Sequence, residues 1–180
     1  MKGIVFNLLE DLVTRAFGDD AWDDLLDEAG LDGAYTSLGS YEDAQLFALV
    51  GAASKTTGQS HEELIRWFGR EAMPTFAVAH AEFFAGHDDT RSFLLTINDL
   101  IHPEVRKLYP GAGVPDFEYD TTSPDVLVMH YRSARRLCAF AEGLIQGAAK
   151  HFGEAVAITQ PRCMHRDDDH CVLEIAFAAT

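Results

Sequence analysis

The chain has 180 residues, 47% of them hydrophobic, which suits one domain with a sizeable core rather than a disordered segment. Fourteen Lys plus Arg against 29 Asp plus Glu give a formal net charge of -15, a field that repels nucleic acid. No apolar run reaches the roughly 18 residues that would span a bilayer, and MKGIVFNLLED meets acidic residues too early for a secretory signal, so the expectation is a soluble, cytoplasmic protein without a membrane partner.

In chain order, Ile4, Phe6, Leu8, Leu9, Leu12, Val13 and Phe17 make the apolar stripe of a first helix, stopped by Gly18. Asp19 or Asp20 caps a short second helix that passes Leu25 and Leu26 and ends at Gly30. Ser40 precedes a third helix with Asp43 at its third position. Ser60 followed by Glu63 is a capping-box pattern and opens a fourth, expected to run to about Ala72, where Pro74 interrupts. A short apolar segment follows from about Phe76 to Phe84. SFLLTINDLIHPEVRKLYPGAG is then helical in pattern, but His102 stands before Pro103, which predicts a break or a bend there.

The second half changes character. FEYDTT, DVLVMHY, AVAITQ and CVLEIAF read as strands, with the helix ARRLCAFAEGLIQGAAKHF between the second and third and Ser133 as its expected N-cap. The order, helices and then β–β–α–β–β, predicts a single α+β domain over residues 1–180 with an antiparallel four-stranded sheet. No repeat, linker or low-complexity segment divides it.

Three groups of residues carry candidate chemistry. In YRSAR, Tyr131 and Ser133 share one side of extended backbone, and Arg135 is expected in the first helical turn. The three either converge on a ligand carboxylate or form a capped helix with a surface arginine. His102, among Leu95, Ile97, Leu100, Ile101 and Val105, is either a haem ligand or a satisfied core histidine. Cys138, Cys163 and Cys171 are odd in number, which argues against a disulfide scaffold. They leave zinc binding, with CMHRDDDHC supplying Cys and His, or a cluster of oxidisable thiols.

MKGIVFNLLED, IHPEVRKLYPGA, YRSAR and CAFAEGLIQGAAKHF together resemble the haem-nitric oxide/oxygen binding (H-NOX) family, across essentially the whole chain. That resemblance implies the H-NOX fold with haem b between the helical part and the helix-plus-sheet part. It implies His102 as the proximal iron ligand and Tyr131, Ser133 and Arg135 as holders of the two propionates. Pro115 matches the proline that presses on the haem face. Phe140 falls where oxygen-binding members place a tyrosine, and the other expected distal residues, Val5, Leu9, Pro74, Val78 and Leu144, bring no side-chain donor either. The resemblance therefore implies a sensor of nitric oxide, also able to bind carbon monoxide. It is not an enzyme itself and signals to a separate histidine kinase or cyclic-di-GMP enzyme. Some members hold zinc with three cysteines and a histidine. Here Gln160 stands where that histidine is expected, leaving His165 or His170 as the substitute. The alternative function is a zinc or thiol redox sensor in which haem is secondary.

Overall fold

The computed structural model describes residues 1–179. Seven helices and four strands follow in the expected order. They are α1 (Gly3–Phe17), α2 (Asp20–Ala29), α3 (Asp43–Thr57), α4 (His61–Ala79), α5 (Thr90–Leu94), α6 (His102–Leu108), β1 (Asp116–Asp120), β2 (Val126–Arg132), α7 (Cys138–His151), β3 (Glu154–Arg162) and β4 (Cys171–Ala179). The strands form one antiparallel sheet in the order β1-β2-β4-β3.

Two apolar cores explain the halves. Phe6, Leu12, Trp22, Leu49 and Phe68 join α1 to α4. Phe93, Leu127, Met129, Ile145, Leu173 and Ile175 join α5, the sheet and α7. Alternation along β2 buries Leu127, Met129 and Tyr131 and leaves Val128, His130 and Arg132 partly exposed, as a half-covered strand requires. Helices α4 and α7 run against each other so closely that a Cβ at Gly69, Gly143 or Gly147 would fall on atoms of the facing helix.

Local chemistry agrees with the sequence at Ser60, whose hydroxyl accepts from the Glu63 N–H while the Glu63 carboxylate accepts from the Ser60 N–H. Four expectations change. Asp19 makes no side-chain cap, so α2 is closed by Gly30 in the left-handed conformation and not opened by Asp19. Ser40 forms a bridge with Lys2, and α3 starts only at Asp43. Pro74 does not end α4, which continues to Ala79. The Arg70 carbonyl, which loses its helical N–H donor to that proline, faces Gly147 at a distance only glycine permits. Ser133 is not a helix cap. Its carbonyl accepts from Arg136 N–H in a turn, Arg136 takes a left-handed φ of 51°, and α7 begins only at Cys138.

His102 is itself helical, at φ -63° and ψ -39°. The strain expected before Pro103 is absorbed one turn earlier, where Ile97–Ile101 form a widened π-type turn. Pro103 lies in the first turn of α6, where its fixed φ suits the helix.

Candidate functional site

Between the two cores lies a cavity of about 630 Å³, lined mainly by apolar side chains. α1 contributes Val5 and Leu8, α4 contributes Phe68 and Met73, and α7 contributes Phe140 and Leu144. Ile97, Ile101, His102 and Val105 come from the widened turn and α6, and Pro115 and Phe117 from the approach to the sheet and its first strand. The YRSAR turn supplies Tyr131, Ser133 and Arg135. The chain does not fill this space with its own side chains.

His102 is 8% exposed and stacks on Phe117, with ring centroids 5.4 Å apart. Its ring nitrogens have no hydrogen-bond partner among the described residues. Burial, reinforced by the charge of Arg106, lowers its pKa to about 4. The imidazole is therefore neutral at neutral pH and keeps a lone pair for a metal, so the satisfied core histidine of the sequence reading is not what the structure contains.

Phe117 pairs with Tyr131 across β1 and β2, which sets His102 and the YRSAR turn on the same stretch of cavity wall. Tyr131 is almost fully buried, and burial pushes its phenol up to about 12 against the pull of a hydrogen bond with Ser133, so it remains a protonated donor. Arg135 does not sit in a helical turn. Its Nε donates to Asp43 Oδ2 at 2.8 Å and its Nη1 to the Gly113 carbonyl at 2.6 Å. A Cβ at Gly113 would stand 2.8 Å from Nη1, so glycine makes room for the guanidinium. Burial alone would raise the pKa of Asp43. Contacts with the Met1 ammonium and Arg135 outweigh it and hold the carboxyl below its ordinary value. Nη2 takes no part in these hydrogen bonds. Together with Tyr131 and Ser133, it leaves hydrogen-bonding capacity for a carboxylate ligand.

Of the expected distal residues, Val5, Phe140 and Leu144 line the cavity. Leu9 is packed into the α1–α4 core, Pro74 is exposed, and Val78 is 84% exposed on the outer face of α4. Leu8, Phe68 and Met73 stand in the lining instead. The last turn of α4 and the residue after it also bring two polar side chains to the cavity: Thr75, whose hydroxyl accepts from Arg15, and His80, whose ring lies against Phe83. Sequence reading missed Asp43 and Gly113 as supports of Arg135, because no local pattern joins positions 22 and 92 residues apart.

The cysteines form a separate site. All three are buried and free, and their sulfurs lie within 4.8 Å of one another. Burial raises the pKa of Cys138, opposed by the Gln160 amide, and pushes Cys171 up to about 12, opposed by the Met164 N–H.

An apolar cavity with one unpartnered neutral histidine and a donor cluster for carboxylates fits a haem, and the comparisons show the chain's family. The model of the Haem-NO-binding (HNOB) family matches residues 2–160, so the chain belongs to that family. It is an H-NOX domain, of a haem-based gas-sensor family, with the α+β H-NOX fold. It is similar to the H-NOX protein of S. oneidensis in its Fe(II)NO ligation state, with 36% identity over 99% of both chains and a TM-score of 0.92. Unliganded Fe(II) H-NOX of K. algicida is 28% identical, over 100% of this chain and 98% of that one, with a TM-score of 0.89. The IWP-051-bound H-NOX of Shewanella woodyi in the Fe(II)CO state is 34% identical, over 99% and 95%, with a TM-score of 0.84.

Proposed function

We propose that this chain binds one haem b through His102 and senses nitric oxide. The observation that carries the reading is the unpartnered, neutral His102 on the wall of an unfilled apolar cavity. In the proposal the ferrous haem supplies the open coordination position for a diatomic gas. His102 holds the iron from α6, and Tyr131, Ser133 and Arg135 hold the propionates. Pro115 bears on the haem face.

Selectivity follows from the gas side. Val5, Leu8, Phe68, Met73, Phe140 and Leu144 offer no hydrogen-bond donor, and bound oxygen, which carries partial negative charge, depends on one more than nitric oxide does. Relatives have been seen with nitric oxide and with carbon monoxide, which fits the same gas set here. His102 would tie α6 to the iron, so a change at the metal would be felt by α6, and it would reach the surface because packed interfaces move between discrete arrangements. The receiver is a separate histidine kinase or cyclic-di-GMP enzyme, and the chain itself performs no catalysis. No helix of the described residues is long and apolar enough to cross a membrane, which fits a cytoplasmic sensor.

Visible spectra of the ferrous protein test the reading. It is expected to form nitric oxide and carbon monoxide complexes and no stable oxygen complex in air. A persistent oxy spectrum would assign a donor role to Thr75 or His80 and remove the selectivity argument. A colourless chain that cannot be reconstituted would remove the haem reading and leave the thiol-sensor alternative. That alternative is weaker as a zinc reading, because the described residues bring together three sulfurs where a structural zinc centre takes four ligands.

A further inference from the structure

Cys138 opens α7, Cys163 follows β3 and Cys171 opens β4, so three separate elements deliver their thiols to one point. The sulfur of Cys163 lies 3.8 Å from that of Cys138 and 3.9 Å from that of Cys171. A metal held about 2.3 Å from each of three thiolates spaces its sulfurs by about 4 Å, so the chain is already arranged for one.

Which ion it suits depends on the fourth ligand. Between Thr159 and Arg162 the register of β3 on β4 slips by one residue, at Gln160 and Pro161. The Gln160 amide lies against Cys138, and its Nε2 is buried. An amide nitrogen is a donor and offers a metal no lone pair. His165 is exposed and its Nε2 bonds the Arg136 carbonyl at 2.7 Å. His170 is engaged at both ring nitrogens, with His130 at 3.0 Å and Asp169 at 2.7 Å. Among the described residues no histidine nitrogen or carboxylate oxygen joins the three sulfurs. Met164, another soft sulfur, packs into the same cluster beside Tyr131 and Ala141.

We propose that Cys138, Cys163 and Cys171 form a trigonal trithiolate site for a soft monovalent ion, Cu(I), and not a tetrahedral zinc centre. Thiolate and thioether surroundings favour Cu(I), which three sulfurs satisfy, whereas zinc in structural sites takes four ligands. The Met164 N–H, 3.3 Å from the Cys171 sulfur, and the Gln160 amide beside Cys138 are N–H groups placed to disperse the negative charge that remains on the sulfurs. Loading replaces thiol protons by the ion, with no change of oxidation state. The inference does not depend on the haem reading.

The test titrates the reduced protein, without oxygen, with Cu(I) presented by bicinchoninate and, separately, with Zn²⁺ against a chromophoric chelator. One Cu(I) per chain is expected, with three sulfurs and no nitrogen around it in X-ray absorption at the copper edge, a signal that haem does not obscure. Zinc is expected to be surrendered to the chelator. Cys171→Ser should weaken Cu(I) binding by roughly a hundredfold. Gln160→His keeps all three thiols and should raise zinc affinity by about ten- to a hundredfold by supplying the missing nitrogen. A wild-type chain that takes no Cu(I), that is purified with one zinc resistant to EDTA, or whose copper environment contains nitrogen would overturn the proposal. So would a Gln160→His variant that folds and binds zinc no better than wild type.

Discussion

The cavity and the cysteine cluster are both buried, and Tyr131 touches both, yet they are opposite solutions to burying chemistry. The cavity is wide and mainly apolar, and its polar side chains are few: Tyr131, Ser133 and Arg135 from the YRSAR turn, Thr75 and His80 at the end of α4, and His102. The cluster is closed, and its sulfurs already touch one another and the Met164 N–H. A protein gives up dispersion contacts around every empty volume it keeps, so a large apolar void is tolerable only if something else fills it. The cluster has no such deficit. The cavity therefore implies a large ligand by its shape, whereas the cluster implies at most a single ion by its donor set.

If that contrast is right, each region can be damaged without the other. The largest effect is expected from His102→Gly, which would remove the proposed bond to the iron and keep the cavity. Added imidazole should restore a histidine-type ferrous spectrum, while Cu(I) uptake by the cysteines stays as in wild type. An iron–histidine stretch that survives without imidazole would show that another residue is the ligand.

Arg135→Ala comes next. Charge-assisted hydrogen bonds contribute on the order of 1.5–3 kcal/mol, so haem should be lost to apomyoglobin about ten to a hundred times faster. An unchanged transfer rate would break the link between the YRSAR turn and the propionates. Phe140→Tyr sharpens the contrast from the gas side. One phenolic donor aimed at bound oxygen should tighten oxygen binding by roughly one to two orders of magnitude. The wild-type spectrum in air remains the deciding measurement, since the new ring must also point inward.

The smallest expected effect is on acid stability. Asp43 has its carboxyl held below the ordinary 3.8, so the folded state favours its charged form. The stability this adds is complete above 3.8 and is lost as pH falls through the lower folded-state value. Asp43→Asn should remove that part of the acid limb of the haem-free protein, seen as a shallower loss of stability at low pH in denaturant titrations. Equal acid limbs in the two proteins would mean that Asp43 does not couple α3 to Arg135.

The sequence made the strands and the capping box at Ser60 legible, because each depends on local periodicity or pattern, and only the family resemblance put His102 and YRSAR at one site, where both line the same cavity. It misled where a local rule met a long-range partner. Pro74 reads as a helix breaker, but Gly147 of α7 takes the place beside the carbonyl that the proline leaves bare. Ser133 reads as a cap, but the left-handed Arg136 spends those residues on a turn that presents Arg135 to Asp43 and Gly113. Val78 reads as a wall residue by alignment of motifs alone, yet it shares the outer face of α4 with Pro74, one helical turn away.

Gly69, Gly143 and Gly147 have no ring, charge or ligand atom, and a survey of functional groups passes over them. The closeness of α4 and α7 nonetheless makes each a position with one acceptable residue, since even alanine would strike the facing helix. Gly51 and Gly86 are the counterexamples, with nothing within 4 Å of an added Cβ. In a random library selected only for soluble, folded protein, alanine should disappear at the first three positions and accumulate freely at the other two. Mutational tolerance in this molecule would then mark out the line where its two halves meet without any knowledge of what the cavity holds.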